Sequence, residues 1–72
     1  MGNYQDRIAA DVAAMRAAAT VEEMTALYHV VIGREPDDDA AGSMERMRED
    51  IDDYLTTECV ARGIHCAAVG LK

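Results

Sequence analysis

From Pro36 to Arg62 the apolar residues recur at alternating steps of four and three: Ala40, Met44, Met47, Ile51, Tyr54 and Ala61. Glu58 fills the one slot where the pattern breaks. That spacing predicts one continuous amphipathic helix. The same stretch holds most of the chain's acid: Glu35, Asp37, Asp38, Asp39, Glu45, Glu49, Asp50, Asp52, Asp53 and Glu58. The helix is therefore expected to carry an apolar stripe on one side and a carboxylate-rich surface on the other. This constrains the fold and the surface; no catalytic or ligand signature accompanies it.

Two shorter helices are expected ahead of it. The first runs from about Asn3 to Ala19, with Asn3 as N-cap and Asp6 in the first turn, where an acid favours the helix dipole. Tyr4, Ile8, Val12, Met15 and Ala19 line one face, and Ala10, Ala13, Ala14, Ala17 and Ala18 the opposite side. Alanine favours helix and admits a close neighbour, so contact on both sides is expected. Thr20 and Glu23 have capping-box spacing and start the second helix at Val21. Val21, Met24, Leu27, Tyr28, Val31 and Ile32 give that helix a wide apolar surface, and Gly33 suits its stop. In the third helix Pro36 suits the first turn, and three aspartates favour the positive end of the dipole. Gly42 and Ser43 weaken this opening, which leaves Ser43 as an alternative start. Gly63 ends the helix, with Ile64 as the hydrophobic partner of a Schellman stop. His65 to Lys72 reads as coil or a brief extended piece.

The chain has 72 residues and a formal charge of -7, which predicts one small all-α domain over residues 1–72. The expected architecture is a three-helix bundle, or an αα-hairpin plus a packing helix, completed by dimerisation. The core is expected to be thin, since Phe and Trp are absent and much of the apolar fraction is Ala. Folding a chain of this length hides roughly 7,000 Å². With about 60% of that area apolar, burial contributes on the order of 100 kcal/mol. Ordering the chain costs about the same, at roughly 1.5 kcal/mol per residue. A near-zero balance favours a self-associated or partner-bound state. Met44, Met47, Ile51, Tyr54 and Leu55 are the residues expected to carry self-association.

Charge narrows the partners. Duplex nucleic acid is bound by neutralising phosphates with Lys and Arg, so direct nucleic-acid contact is not expected, although the break at Thr20 permits a helix-turn-helix shape. The acid equally disfavours anionic membrane surfaces. No secretory signal or bilayer-spanning run is read. A cytoplasmic protein with reduced thiols is expected, in which a disulfide between Cys59 and Cys66 is disfavoured. The preference for Arg over Lys and the abundant Ala match the bias of GC-rich bacterial genomes and their phages.

The remaining candidates have plainer readings. An EF-hand loop needs Gly at its sixth position and Glu at its twelfth. Counting from Asp37 puts Gly42 at six but Arg48 at twelve; counting from Asp38 puts Glu49 at twelve and displaces the Gly. Cys59, His65 and Cys66 lack the paired spacing of structural zinc, and His29 would have to come from another helix. Neither metals nor cofactors are expected. Pairing Cys59 or Cys66 with His29 or His65 offers poor preorganisation for nucleophilic catalysis, so no enzyme is expected. A buried structural thiol suits Cys59, an ordinary surface or interface histidine His29, and core packing the five methionines. Glu58 and Arg62, at i,i+4 spacing, pair with each other, pair across a subunit boundary, or simply reach solvent.

The acid face has two readings: a solvated surface, or a docking face for a basic protein. For docking, Glu45, Glu49, Asp50, Asp52 and Asp53 share roughly half of the helix circumference, with Arg46–Asp50 and Arg48–Asp52 pairs offsetting part of their repulsion. Carboxylates at helical spacing can occupy sites meant for phosphates. The expected function is a small acidic interaction module, an inhibitor or regulator that covers a basic site on another protein. The alternative is a structural or assembly subunit that self-associates through its apolar stripes.

Overall fold

Each helix opens on a side chain that caps the free N–H groups of its first turn. The computed structural model describes residues 3–71. The first helix, α1 (Tyr4–Ala17), starts where the Asn3 side chain accepts a hydrogen bond from the Asp6 N–H at 2.9 Å. α2 (Val21–Ile32) starts where Thr20 accepts from the Glu23 N–H at 3.1 Å, while the Thr20 hydroxyl donates to the Glu23 carboxylate. α3 (Met44–Arg62) starts where Ser43 accepts from the Arg46 N–H at 3.3 Å. α2 and α3 end at Gly33 and Gly63, both left-handed, and the Ile64 N–H donates to the Cys59 carbonyl at 2.9 Å in the expected Schellman stop. Among the described residues there is no strand.

The uninterrupted helix from Pro36 does not form; α3 takes the alternative start at Ser43. Residues 37–42 make a turn in which the Ala40 and Ala41 N–H groups both donate to the Asp37 carbonyl, at 2.9 and 2.7 Å. Gly42 then takes φ +82°, a left-handed conformation that a helix cannot contain and that only glycine adopts cheaply.

The buried line on α3 also differs from the expected stripe. Met47, Ile51, Leu55 and Cys59, spaced by four, form the core ridge. Met44 is half-buried and packs against that core, while Tyr54 and Ala61 lie in solvent. The four-step line slants around the helix and keeps contact with both α1 and α2. Ile8, Val12 and Met15 of α1 and Met24 and Tyr28 of α2 complete the centre, with Ala18 and Ala40 from the connectors. Tyr4, Ala19 and Val21, expected on apolar faces, are exposed. Met15, Met24 and Met47 are core, as expected; Met1 lies outside the described residues.

The tail is not coil. Cys66–Val69 forms a 3-10 turn, and Val69 and Leu71 are buried in the core. This C-terminal hook packs on α1 and α3. The Arg16 guanidinium donates to the Gly70 carbonyl. Gly70 has φ +91°, and a Cβ added there would lie 3.5 Å from Val12 Cγ1, so the hook presses its backbone onto α1 where a side chain would crowd. Lys72 lies outside the described residues.

Candidate protein-binding face

The buried ridge of α3 fixes what the rest of that helix shows. At about 100° per residue, turning Met47, Ile51 and Leu55 inward sends Glu45, Glu49 and Asp53 outward, and all three are exposed. Asp52 sits at the border, half-buried, accepting a hydrogen bond from the Thr56 hydroxyl at 3.4 Å. These four carboxylates and Arg48 line one shallow depression of about 530 Å³.

Asp50 does not belong with them. It lies on the other flank of α3, half-buried, and accepts a hydrogen bond from the Tyr28 hydroxyl at 3.1 Å. The Tyr28 ring is fully buried, and the Arg34 guanidinium stands 5.6 Å from its centroid. Burial, then the Asp50 hydrogen bond and charge, push the Tyr28 phenol above its ordinary value. Asp50 thus holds α2 to α3. The sequence signal was a tyrosine within an apolar face, whose hydroxyl needs a partner when buried.

The expected offsetting ion pairs are not the ones formed. Arg48 reaches away from the acid, toward the Ala18 carbonyl at the end of α1, at 3.4 Å. A cation there favours the negative end of that helix. Among the described residues the ion pairs are His29–Glu35, Arg34–Asp37 and Arg62–Glu58. Glu45, Glu49, Asp52 and Asp53 therefore share a face without a matched cation. The Glu58–Arg62 pair forms within the helix, and the Arg62 guanidinium lies 3.9 Å from the centroid of the Tyr4 ring. Its hydrogen bond and charge lower the Tyr4 phenol.

Comparison with protein-family models, curated proteins and solved structures finds no match to this chain. Its function is therefore argued from its own residues.

Of the five residues expected to carry self-association, Met47, Ile51 and Leu55 are wholly inside the single chain. They present no surface to a second copy. Met44 is half-buried on the same core, and only Tyr54 opens to solvent. The exposed apolar surface lies elsewhere. A groove of about 490 Å³ between α1 and α2 is lined by Ala14, Ala17, Ala18, Ala26, Leu27 and Val30, with Glu23 its single charged side chain. This follows from the alanine side of α1, which the sequence did flag.

The other candidates are placed as follows. Asp37, Asp38 and Asp39 are exposed on the turn before α3, and Asp37 faces Arg34. His29 is exposed, with Nδ1 at 3.6 Å from Glu35. Cys59 is a free, buried thiol, raised above its ordinary value first by burial and then by Cys66. Cys66 is free and half-buried, and His65 is exposed. No helix of the described residues is long and apolar enough to cross a membrane.

Proposed function

We propose that this protein is a small acidic interaction module that regulates or inhibits another protein by laying the outer face of α3 on a basic site. The observation that carries this reading is the cluster of Glu45, Glu49, Asp52 and Asp53 on one face, with Arg48 drawn off to α1 and no cation matched to the four. Opposed fields of protein and partner speed encounter and penalise wrong partners. With a net charge of -7, the whole chain adds to that field. Asp50 drops out of the docking set, because its carboxylate is engaged with Tyr28.

The test begins with capture of partners from the source cell and identification by mass spectrometry. Binding of the recovered partner is then measured for wild type and for Glu49→Lys with Asp53→Lys. Both residues are exposed, so helicity should be unchanged while affinity falls by about tenfold or more, since reversed rim charges act through encounter and like-charge repulsion. The wild-type affinity should also weaken as salt rises through the screening range. Unchanged affinity in the double variant removes the reading.

A second reading rests on the α1–α2 groove. Its apolar lining suits self-association of an assembly subunit, with the acid serving solubility. Under that reading light scattering finds a dimer that high salt does not dissociate, and Val30→Glu returns it to monomer.

A further inference from the structure

The two thiols meet at the end of α3. That helix stops at Gly63, where the Ile64 N–H bonds back to the Cys59 carbonyl, and the chain reverses so that Cys66 opens the 3-10 turn of the hook. Cys59 is wholly buried in the core, and Cys66 packs on the same core while keeping some exposure. The hook lies against α3 as well as α1. From there the Cys66 side chain is in hydrogen-bonding reach of the Cys59 thiol. One cysteine is reachable, and the other waits directly behind it.

We propose that Cys59 and Cys66 form a redox clasp, which a small-molecule disulfide converts to an intramolecular disulfide that fastens the C-terminal hook to the end of α3. The order of attack follows from exposure and acidity. Cys66, the reachable thiol, loses its proton to water and attacks one sulfur of the incoming disulfide. That S–S bond breaks, and one thiolate leaves with the electron pair. Burial and the neighbouring sulfur hold the Cys59 thiol above its ordinary value, so it is the poorer first nucleophile. Once Cys66 is in a mixed disulfide, Cys59 gives up its proton and attacks the Cys66 sulfur, and the second thiolate leaves. Two protein thiols are oxidised by two electrons, and the small disulfide is reduced to two thiols. In the reduced protein the hook is held by burial of Val69 and Leu71 and by the Arg16–Gly70 hydrogen bond. The covalent link adds to these by restricting the unfolded chain.

The experiment equilibrates the dilute, fully reduced chain in glutathione buffers from reducing to oxidising. It follows intact mass, thermal melting and hydrogen exchange. The expected oxidised species is a monomer lighter by two hydrogens, carrying no glutathione. Its Tm should rise by on the order of 10 °C, from loop closure in a domain of this size. The Leu71 amide, which donates to the Cys66 carbonyl at 3.0 Å, should exchange more slowly. Cys66→Ser should show none of these changes. A persistent glutathione adduct on Cys66, chains cross-linked in pairs, no oxidation in the most oxidising buffer, or an oxidised monomer melting no higher than the reduced one would each overturn the proposal. All of these readouts come from the wild-type chain, so they stand even if a cysteine variant fails to fold.

Discussion

Tyr28 does at the residue scale what a phenylalanine could not: it fills the core with its ring and ties α2 to Asp50 on α3 through its hydroxyl. The phenol holds its proton more tightly in the folded chain than its ordinary value of 10.0 allows. A group whose folded pKa is raised contributes stability below the unfolded value and loses it as pH climbs through the folded one. Stability should therefore fall on the alkaline side, above about pH 10. Tyr28→Phe should cost about 1 kcal/mol at neutral pH, because Asp50 loses its donor. The same change should flatten the alkaline decline. Cys59, also raised, acts in the same direction and leaves a residual slope. Denaturant melts of both proteins from neutral to alkaline pH test this; equal alkaline slopes would show that the Tyr28 phenol is not responsible.

The elements divide by the range of the interaction that defines them. The caps at Asn3, Thr20 and Ser43 and the stops at Gly33 and Gly63 were legible because each is settled within a few residues. The early start at Pro36 was misread because Pro36 and three aspartates suit a helix N-terminus, while the turn bonds to the Asp37 carbonyl and the left-handed Gly42 leave no periodic trace. The stripe on α3 was off by part of a turn for a longer-range reason. Tyr54 and Leu55 are both apolar neighbours in sequence, and only the positions of α1 and α2 select Leu55 for the core. The hook was missed altogether. Its residues are small, and its burial is decided by α1 at the far end of the chain. Leu71→Ala should accordingly cost about 2–4 kcal/mol. Val60→Ala, in the body of the longest helix but 72% exposed, should stay within about 0.5 kcal/mol of wild type. Urea melts compare the two directly, and a tolerated Leu71→Ala would remove the hook from the core.

Across the whole molecule the acid is legible as composition and only partly as geometry. Four of the five docking residues cluster, and the fifth is structural, because helical spacing alone cannot show which flank faces a neighbouring helix. An unmatched acidic face in a chain of charge -7 repels itself, and screening relieves that repulsion. The Tm should rise from low to moderate salt. Glu49 lies one turn from both Glu45 and Asp53, so Glu49→Lys should stabilise the protein by about 0.5 kcal/mol at low salt while weakening partner binding. Opposite signs for stability and affinity would mark carboxylates kept for recognition. Thermal melts across ionic strength read the first sign, and a destabilised Glu49→Lys would refute it.

The Arg16–Gly70 contact joins positions 54 apart in sequence. Drawing such distant points together carries the steepest loop-closure entropy in the molecule, whereas the α2–α3 pairing needs only a short reversal. Docking of the final turn onto α1 should thus complete the fold last and come undone first. Pulsed hydrogen exchange during refolding should find the Leu71 amide protected after those of α2 and α3. Early protection there would reverse that order of events.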